Sequence, residues 1–316
     1  MRKINNYWYN GPADDLPLTP QHDRTILSVD IKGDKAVTSS ADHGLRVYSL
    51  KTGKCLRNLY NKKYGHTDWV TSCKFLEDQR ILSAGMDNKL CLWDSRVLKC
   101  SDLQGHNSTI SKIDVDARNV GISSSYDASL LVWNLDTLEC AQGLFNGHRE
   151  PVVEFAWRNS LVVSGDRGGS MAIWDINTGQ CVTKLPGAHQ GALSKIAFFS
   201  DGQNNNVFLS TGLKDGGLAA HDMRTHKPIK KERVHNAAIN MLETTSSGYV
   251  VTGSADKTLK TFDIFNSCAA QSTLKATDAV FCGAVLENIV VAGCGDGNIL
   301  GFNLEDNQCM WGYGAD

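Results

Sequence analysis

No apolar stretch in these 316 residues approaches the roughly 18 that a membrane span requires. Nor does an apolar h-region follow the basic start Met1-Arg2-Lys3. Both absences lead us to expect a chain that neither inserts in a membrane nor enters the secretory route. The expected location is cytoplasmic, with the nucleus or a cytoskeletal assembly as the other compartments this allows. The Asn107-Ser108-Thr109 sequon then has no glycosylation to receive. A basic surplus is also missing: 32 Lys and Arg face 34 Asp and Glu, for a net charge of -2. Direct nucleic-acid binding is therefore not expected. The one basic concentration, Arg224 to Arg233, reads as a solvated loop and an edge strand whose lysines block unwanted pairing. Ten cysteines are present, yet no C-x-x-C pair or Cys/His quartet with zinc spacing, so neither a metal nor a disulfide framework is expected. Catalytic signatures are missing as well. The glycine clusters Gly165 to Gly169 and Gly293 to Gly297 lack the Gly-Lys-Ser/Thr ending of a phosphate loop, and no G-x-S-x-G or H-E-x-x-H occurs. The expectation is no enzyme, no cofactor and no small-molecule substrate.

What the chain does contain is a beat. An aspartate returns at Asp42, Asp87, Asp127, Asp215, Asp256 and Asp296, at intervals of about 40 to 47 residues once Gly168 fills the vacant slot. Four residues earlier stands Thr38, Ser83, Ser123, Ser164, Thr211, Thr252 or Ala292; six later stands Tyr48, Trp93, Trp133, Trp174, His221, Phe262 or Phe302. About twenty residues before the landmark comes His22, His66, His106, His148, His189 or His235, with Thr277 in the last unit. Cys55, Cys100, Cys140, Cys181 and Cys309 keep the same time, each just after a turn, and mark the start of an outer strand.

Each unit reads as four short strands. In the third, Ile110 to Val115 alternates apolar and polar with period two, Asn119 to Ser123 is a second run, Leu130 to Leu135 a third, and a fourth starts near Cys140. The turns fall at Ser125 to Ala128 and Asp136 to Glu139. A small antiparallel sheet with two apolar faces cannot bury both alone; seven arranged radially can. The expected fold is all-β, a seven-bladed β-propeller with four antiparallel strands per blade. The expected blades span 22–64, 65–104, 105–146, 147–187, 188–233, 234–275 and 276–316, after an N-terminal segment 1–21.

These units resemble the WD-repeat (Trp-Asp repeat) propellers. Gly65-His66, Gly105-His106 and Gly147-His148 match that family's Gly-His, and Trp93-Asp94 and Trp174-Asp175 its Trp-Asp, with Trp133-Asn134 close. The resemblance implies structural hydrogen-bonded tetrads of His66, Ser83, Asp87 and Trp93, and of His106, Ser123, Asp127 and Trp133. Phe262 and Phe302 cannot donate the hydrogen bond of a Trp, so blades six and seven are expected to lean on packing alone. Two segments compete for the last outer strand, Lys3 to Tyr9 and Cys309 to Tyr313. The N-terminal closure common in the family favours the first, because joining the termini removes two exposed edges.

The resemblance further implies a binding role for the face that carries the landmark turns and the histidine loops. Trp69 follows Gly65-His66-Thr67-Asp68, where a small or polar residue is ordinary. It either anchors a partner or lies over the neighbouring turn as packing. With Met86 and Tyr126, and with Lys62, Lys63 and Tyr64 in the preceding loop, it would form an aromatic and basic patch, which Arg167 and Lys214 extend. A peptide with an apolar anchor and acidic flanks would complement it. The expected function is a non-enzymatic scaffold, a subunit or adaptor that holds protein partners within a larger assembly. The alternative is a substrate receptor of a cullin-type ubiquitin ligase, since Trp93-Asp94-Ser95-Arg96 and His221-Asp222-Met223-Arg224 resemble the Trp-Asp-x-Arg box by which some family members dock.

Overall fold

The computed structural model describes His22, Arg24 and residues 26–49, 54–60, 63–94, 96–199, 206–245, 248–263, 267–286, 289–295, 299–304 and 308–313. They form 28 strands in seven four-stranded antiparallel sheets, with no helix among the described residues. Strand order in every sheet follows the chain. The sheets span residues 26–59, 70–104, 110–144, 152–185, 193–233, 239–275 and 280–313, and they are the blades of a seven-bladed propeller.

Burial explains why these runs take these places. First strands of consecutive blades touch one another, which puts them at the centre. Second strands are sandwiched on both faces, and Ile81–Gly85 is buried at every residue. Outer strands meet solvent, so Gln180–Leu185 alternates exposed and half-buried. Neighbouring blades share apolar clusters: Val37, Leu45, Val47 and Leu59 of blade one close on Cys73, Phe75 and Trp93 of blade two. Burying an indole such as Trp93, Trp133 or Trp174 removes 150–250 Å² from water, roughly 4–6 kcal/mol each before the entropy of ordering it.

The fourth strand of the last sheet is Gln308–Tyr313, paired antiparallel with Ile299–Asn303. It takes the place expected for the N-terminal segment. The physical reason is loop closure: the C-terminal strand folds back on its own neighbour across a short turn, whereas Lys3 to Tyr9 would have to find that edge across the whole chain. Residues 1–21, Lys62 and the landmark Asp296 lie outside the described residues.

Candidate protein-binding face

In blade two, His66 Nδ1 lies 2.9 Å from Asp87 Oδ1 and Nε2 lies 2.8 Å from Ser83 Oγ, which accepts from Trp93 Nε1 at 2.9 Å. With its proton on Nδ1, the imidazole donates to the carboxylate and accepts from the serine hydroxyl, so donors and acceptors run one way along a satisfied chain. The carboxylate also takes the Thr67 N–H at 2.9 Å, tying the histidine loop to the landmark turn. Blade three repeats it: His106 to Asp127 at 2.9 Å, to Ser123 at 2.7 Å, and Trp133 to Ser123 at 2.8 Å. Burial disfavours the imidazolium and lowers the His106 pKa, although Asp127 pulls the other way. Burial likewise opposes ionisation of Asp87 and Asp127, but their hydrogen bonds prevail and both pKa values fall below the ordinary carboxylate value. Order and spacing are those of a catalytic triad, but the groups are buried one set per blade beneath a turn, and the Trp donor occupies the serine oxygen. Their work is to staple loops.

The structure departs from the expected beat at blades four and five, and from the expected reliance on packing at blade six. In blade four the carboxylate belongs to Asp166, 2.9 Å from His148 Nδ1, and not to the slot of Gly168; it also accepts from the Gly168 and Ser170 N–H groups, so it caps the turn from two residues earlier. In blade five the hydroxyl is that of Ser210, 2.9 Å from His189 Nε2, and Thr211 instead bonds Ser194. A turn longer by one residue moves the register. Blade six does not rest on packing alone, because His235 still reaches Asp256 at 3.0 Å and Thr252 Oγ1 at 2.8 Å. Phe262 removes one donor from the end of that chain and leaves the rest intact. Blade one carries the same staple, His22 to Asp42 and to Thr38, both at 2.8 Å.

A second recurring bond fixes the loops to one another. Met86 N–H donates to Trp69 O at 2.8 Å, Tyr126 N–H to Thr109 O at 2.9 Å, and Arg167 N–H to Pro151 O at 2.9 Å. In blade five this position is held by Leu213, which donates to Ala192 O, and Lys214 stands one residue further on. The backbone bond joins Trp69 directly to Met86, with the Trp69 side chain 40% exposed and Met86 half-buried. Tyr126 is 41% exposed on the equivalent turn of the next blade, and Arg167 and Lys214 are exposed beyond it. Lys63 Nζ sits 5.5 Å from the Tyr64 ring centroid, and Tyr64 itself packs on the cluster between blades one and two, so its ring serves the core. Exposed Phe145 and Leu213 belong to the same set of loops and were not singled out by the sequence. The signal for Phe145 was its place two residues before Gly147-His148. Exposed Asp68 and Glu150 interrupt the basic arc.

Comparison with known proteins agrees with this geometry. Residues 53–94 match the family model described as WD domain, G-beta repeat. An Arabidopsis thaliana protein named "ANTHESIS POMOTING FACTOR 1" is 26% identical over 251 residues, 74% of this chain and 72% of that protein. The Xenopus tropicalis "DDB1- and CUL4-associated factor 10" is 25% identical over 136 residues, 42% of this chain and 29% of that one. The crystal structure of the computationally designed Ika8 protein superposes with a TM-score of 0.80 at 26% identity, covering 92% of this chain and 87% of that one. The chain is a seven-bladed β-propeller that is similar to the WD-repeat proteins.

Two further groupings in this propeller were not legible in the sequence. Cys91, Cys100 and Asp102 of blade two bring two thiols and a carboxylate within 4.8 Å of one another, although their spacing matches no zinc pattern, because adjacent strands pair Cys91 with Asp102 and Trp93 with Cys100. The carboxylate is already held by Lys89 at 2.6 Å, and the Cys91 thiol is pushed far up by its hydrogen bond to Cys100 and by burial. At the centre, Glu154 lies between Lys112 and Lys195, the latter at 3.3 Å. Burial opposes its ionisation, but the two ammonium groups overcome that and hold its pKa below the ordinary value. A cavity of about 260 Å³ opens beside Lys112, Lys195 and Glu243.

Proposed function

We propose that this propeller is a non-enzymatic scaffold that binds protein partners through the loops carrying the landmark turns. The observation that carries the reading is Trp69: a 40% exposed indole whose own carbonyl is pinned by the Met86 N–H. Fixing the main chain beneath an exposed aromatic lowers the entropy lost on docking, and aromatics are enriched among the residues that dominate interface energetics. Tyr126 extends the apolar ground, and Lys63, Arg149, Arg167 and Lys214 favour a segment with acidic flanks around an apolar anchor. The test pairs stability with binding. Trp69→Ala and Tyr126→Ala should keep the wild-type melting temperature yet lose the partners recovered with the wild-type protein from its own cells. They should also weaken a fluorescent acidic peptide bearing a central Leu or Phe by at least tenfold. Unchanged recovery and unchanged peptide binding would reject the face.

A second reading, substrate receptor of a cullin-type ligase, draws support from the printed name of the Xenopus tropicalis relative. Both arginines of the two Trp-Asp-x-Arg-like boxes are exposed, and Arg224 is engaged by Asp222 of its own turn at 3.2 Å. Co-purification of the ligase adaptor, lost in Arg96→Ala and kept in Arg224→Ala, would favour that reading.

A further inference from the structure

Blade two pairs its two outer strands differently from every other blade. In the other six, the third and fourth strands slip in register just before the ring that stands six residues after the landmark slot. The slips fall between Val47 and Tyr48, Val132 and Trp133, Ile173 and Trp174, Ala220 and His221, Thr261 and Phe262, and Gly301 and Phe302. Strand Lys89–Trp93 meets Cys100–Gln104 without a slip, so Cys91 stands opposite Asp102 and Trp93 opposite Cys100. Side chains two apart on a strand share a face, which puts Lys89, Cys91, Cys100 and Asp102 on one side of the sheet. Cys100 keeps the slot of the repeated cysteines. Cys91 does not, because two residues before the ring the other blades carry Arg46, Leu131, Ala172, Ala219, Lys260 and Leu300. The outcome is convergence on one atom. Asp102 Oδ1 accepts from the Cys91 thiol at 3.5 Å and from the Cys100 thiol at 3.6 Å, and the three ligand atoms lie within 4.8 Å of one another. Lys89 Nζ donates to the other oxygen, Oδ2, at 2.6 Å.

We propose that Cys91, Cys100 and Asp102 bind a divalent cation of the zinc class, which ties the third strand of blade two to the fourth. In a tetrahedral site with metal–ligand distances of about 2.3 Å to sulfur and about 2.0–2.2 Å to oxygen, sulfur and oxygen stand about 3.5–3.7 Å apart. These thiols already keep that spacing from Oδ1, so a cation replaces their two protons without moving the strands. Two thiolates select a soft or borderline ion over magnesium or calcium. Charge also closes within the site, since two thiolates and one carboxylate balance a dication and the Lys89 ammonium. Lys89 holds Oδ2 and leaves Oδ1 free, and it orients the carboxylate as hydrogen-bonding neighbours of metal ligands do. The high pKa of the buried Cys91 thiol belongs to the metal-free pair, because a coordinated thiol is deprotonated outright. Asp102, its side chain 41% exposed, is the edge by which the ion enters and from which water completes the fourth position. The site lies on outer strands and is independent of the Trp69 face.

Titration of the reduced, metal-free full chain with Co(II) tests it, because cobalt in a tetrahedral thiolate site shows sulfur-to-metal charge transfer and strong visible bands. A single equivalent should bind with those bands and be displaced by Zn(II), and Zn(II) should raise the melting temperature by several degrees. Cys100→Ser should weaken the charge-transfer band. Asp102→Ala, at an exposed position where folding is not at stake, should weaken binding by about tenfold or more and abolish the gain in melting temperature. Cys140→Ala and Cys181→Ala, at the repeated cysteine slot of blades three and four, should bind cobalt as the wild-type chain does. Three results would overturn the proposal: no cobalt bound by the folded wild-type chain; an affinity unchanged in both Asp102→Ala and Cys100→Ser; or an equal loss in Cys140→Ala, which would place the ion elsewhere.

Discussion

Gly147 lies flat against the indole of Trp174: a Cβ on it would come within 2.1 Å of the ring carbon Cζ2. Gly105 stands in the same relation to Trp133 at 2.9 Å, and Gly65 to Trp93 at 2.7 Å. This is the physical content of the Gly-His signature. The glycine is required where the tetrad ends in Trp, and where the ring is smaller the glycine is gone: Ala188 precedes His189 in the blade with His221, and Val234 precedes His235 in the blade with Phe262. Gly147 has no positive φ, so Gly147→Ala tests packing alone. It should cost about 2–3 kcal/mol in urea denaturation, in the range of core overpacking, and the double change Gly147→Ala with Trp174→Phe should recover part of it.

His66→Ala should cost more than His235→Ala. The first leaves a buried Asp87 carboxylate and the Ser83 hydroxyl without their shared partner. The second leaves Asp256 with the Thr258 hydroxyl still donating to it at 2.5 Å. About 3 against about 2 kcal/mol is expected, from the penalty for unpaired buried polar groups. Equal melting shifts would contradict the assignment.

Acid stability should carry the mark of His221. Burial, then the nearby His189 and Lys231, lowers its pKa from 6.5 to about 4, and its Nδ1 is buried without a partner. Its folded pKa lies below its unfolded one, so its stabilising contribution is complete above about pH 6.5 and is lost as pH falls toward 4. The loss is on the order of 2–3 kcal/mol. His106, His189 and His235 shift the same way through burial. Asp256, held at about 2 by its hydrogen bonds against burial, adds a second loss only below its ordinary value of 3.8. His221→Phe keeps the stack on Phe208, now at 4.8 Å and 9° between rings, but removes one titration. Melting temperature against pH should therefore fall less steeply between pH 6.5 and 4 in this variant.

Glu154→Ala should destabilise by about 2–3 kcal/mol, below the range for a fully buried pair because Lys112 and Lys195 are partly exposed. The two ammonium groups would lose the carboxylate they share. Adding Lys195→Met should restore part of the loss in the same denaturation assay.

How much was readable follows from the range of each interaction. Blade number, strand order and the tetrads of blades two and three depend on contacts repeated every forty-odd residues, and repetition makes a pattern visible without knowing any distance. Which atom takes a role depends on reach. Asp166 displaced Gly168 because a carboxylate two residues earlier in a turn of the same length also reaches the imidazole, and Ser210 displaced Thr211 because the blade-five turn is one residue longer. Tyr64 was grouped with an exposed patch and turned out to serve the core, since periodicity cannot distinguish two sides of a loop.

The sequence by itself determined that this is a wheel of seven four-stranded sheets, six of them carrying a histidine staple, because a radial arrangement lets such sheets bury their faces against one another. Only the tertiary structure decided what happens where the wheel meets itself. There the C-terminal strand took the last edge, and Ile26, Val29 and Ile31 remained facing solvent. Their environment depends on residues at the far end of the chain, and no local pattern encodes a contact between the first blade and the last.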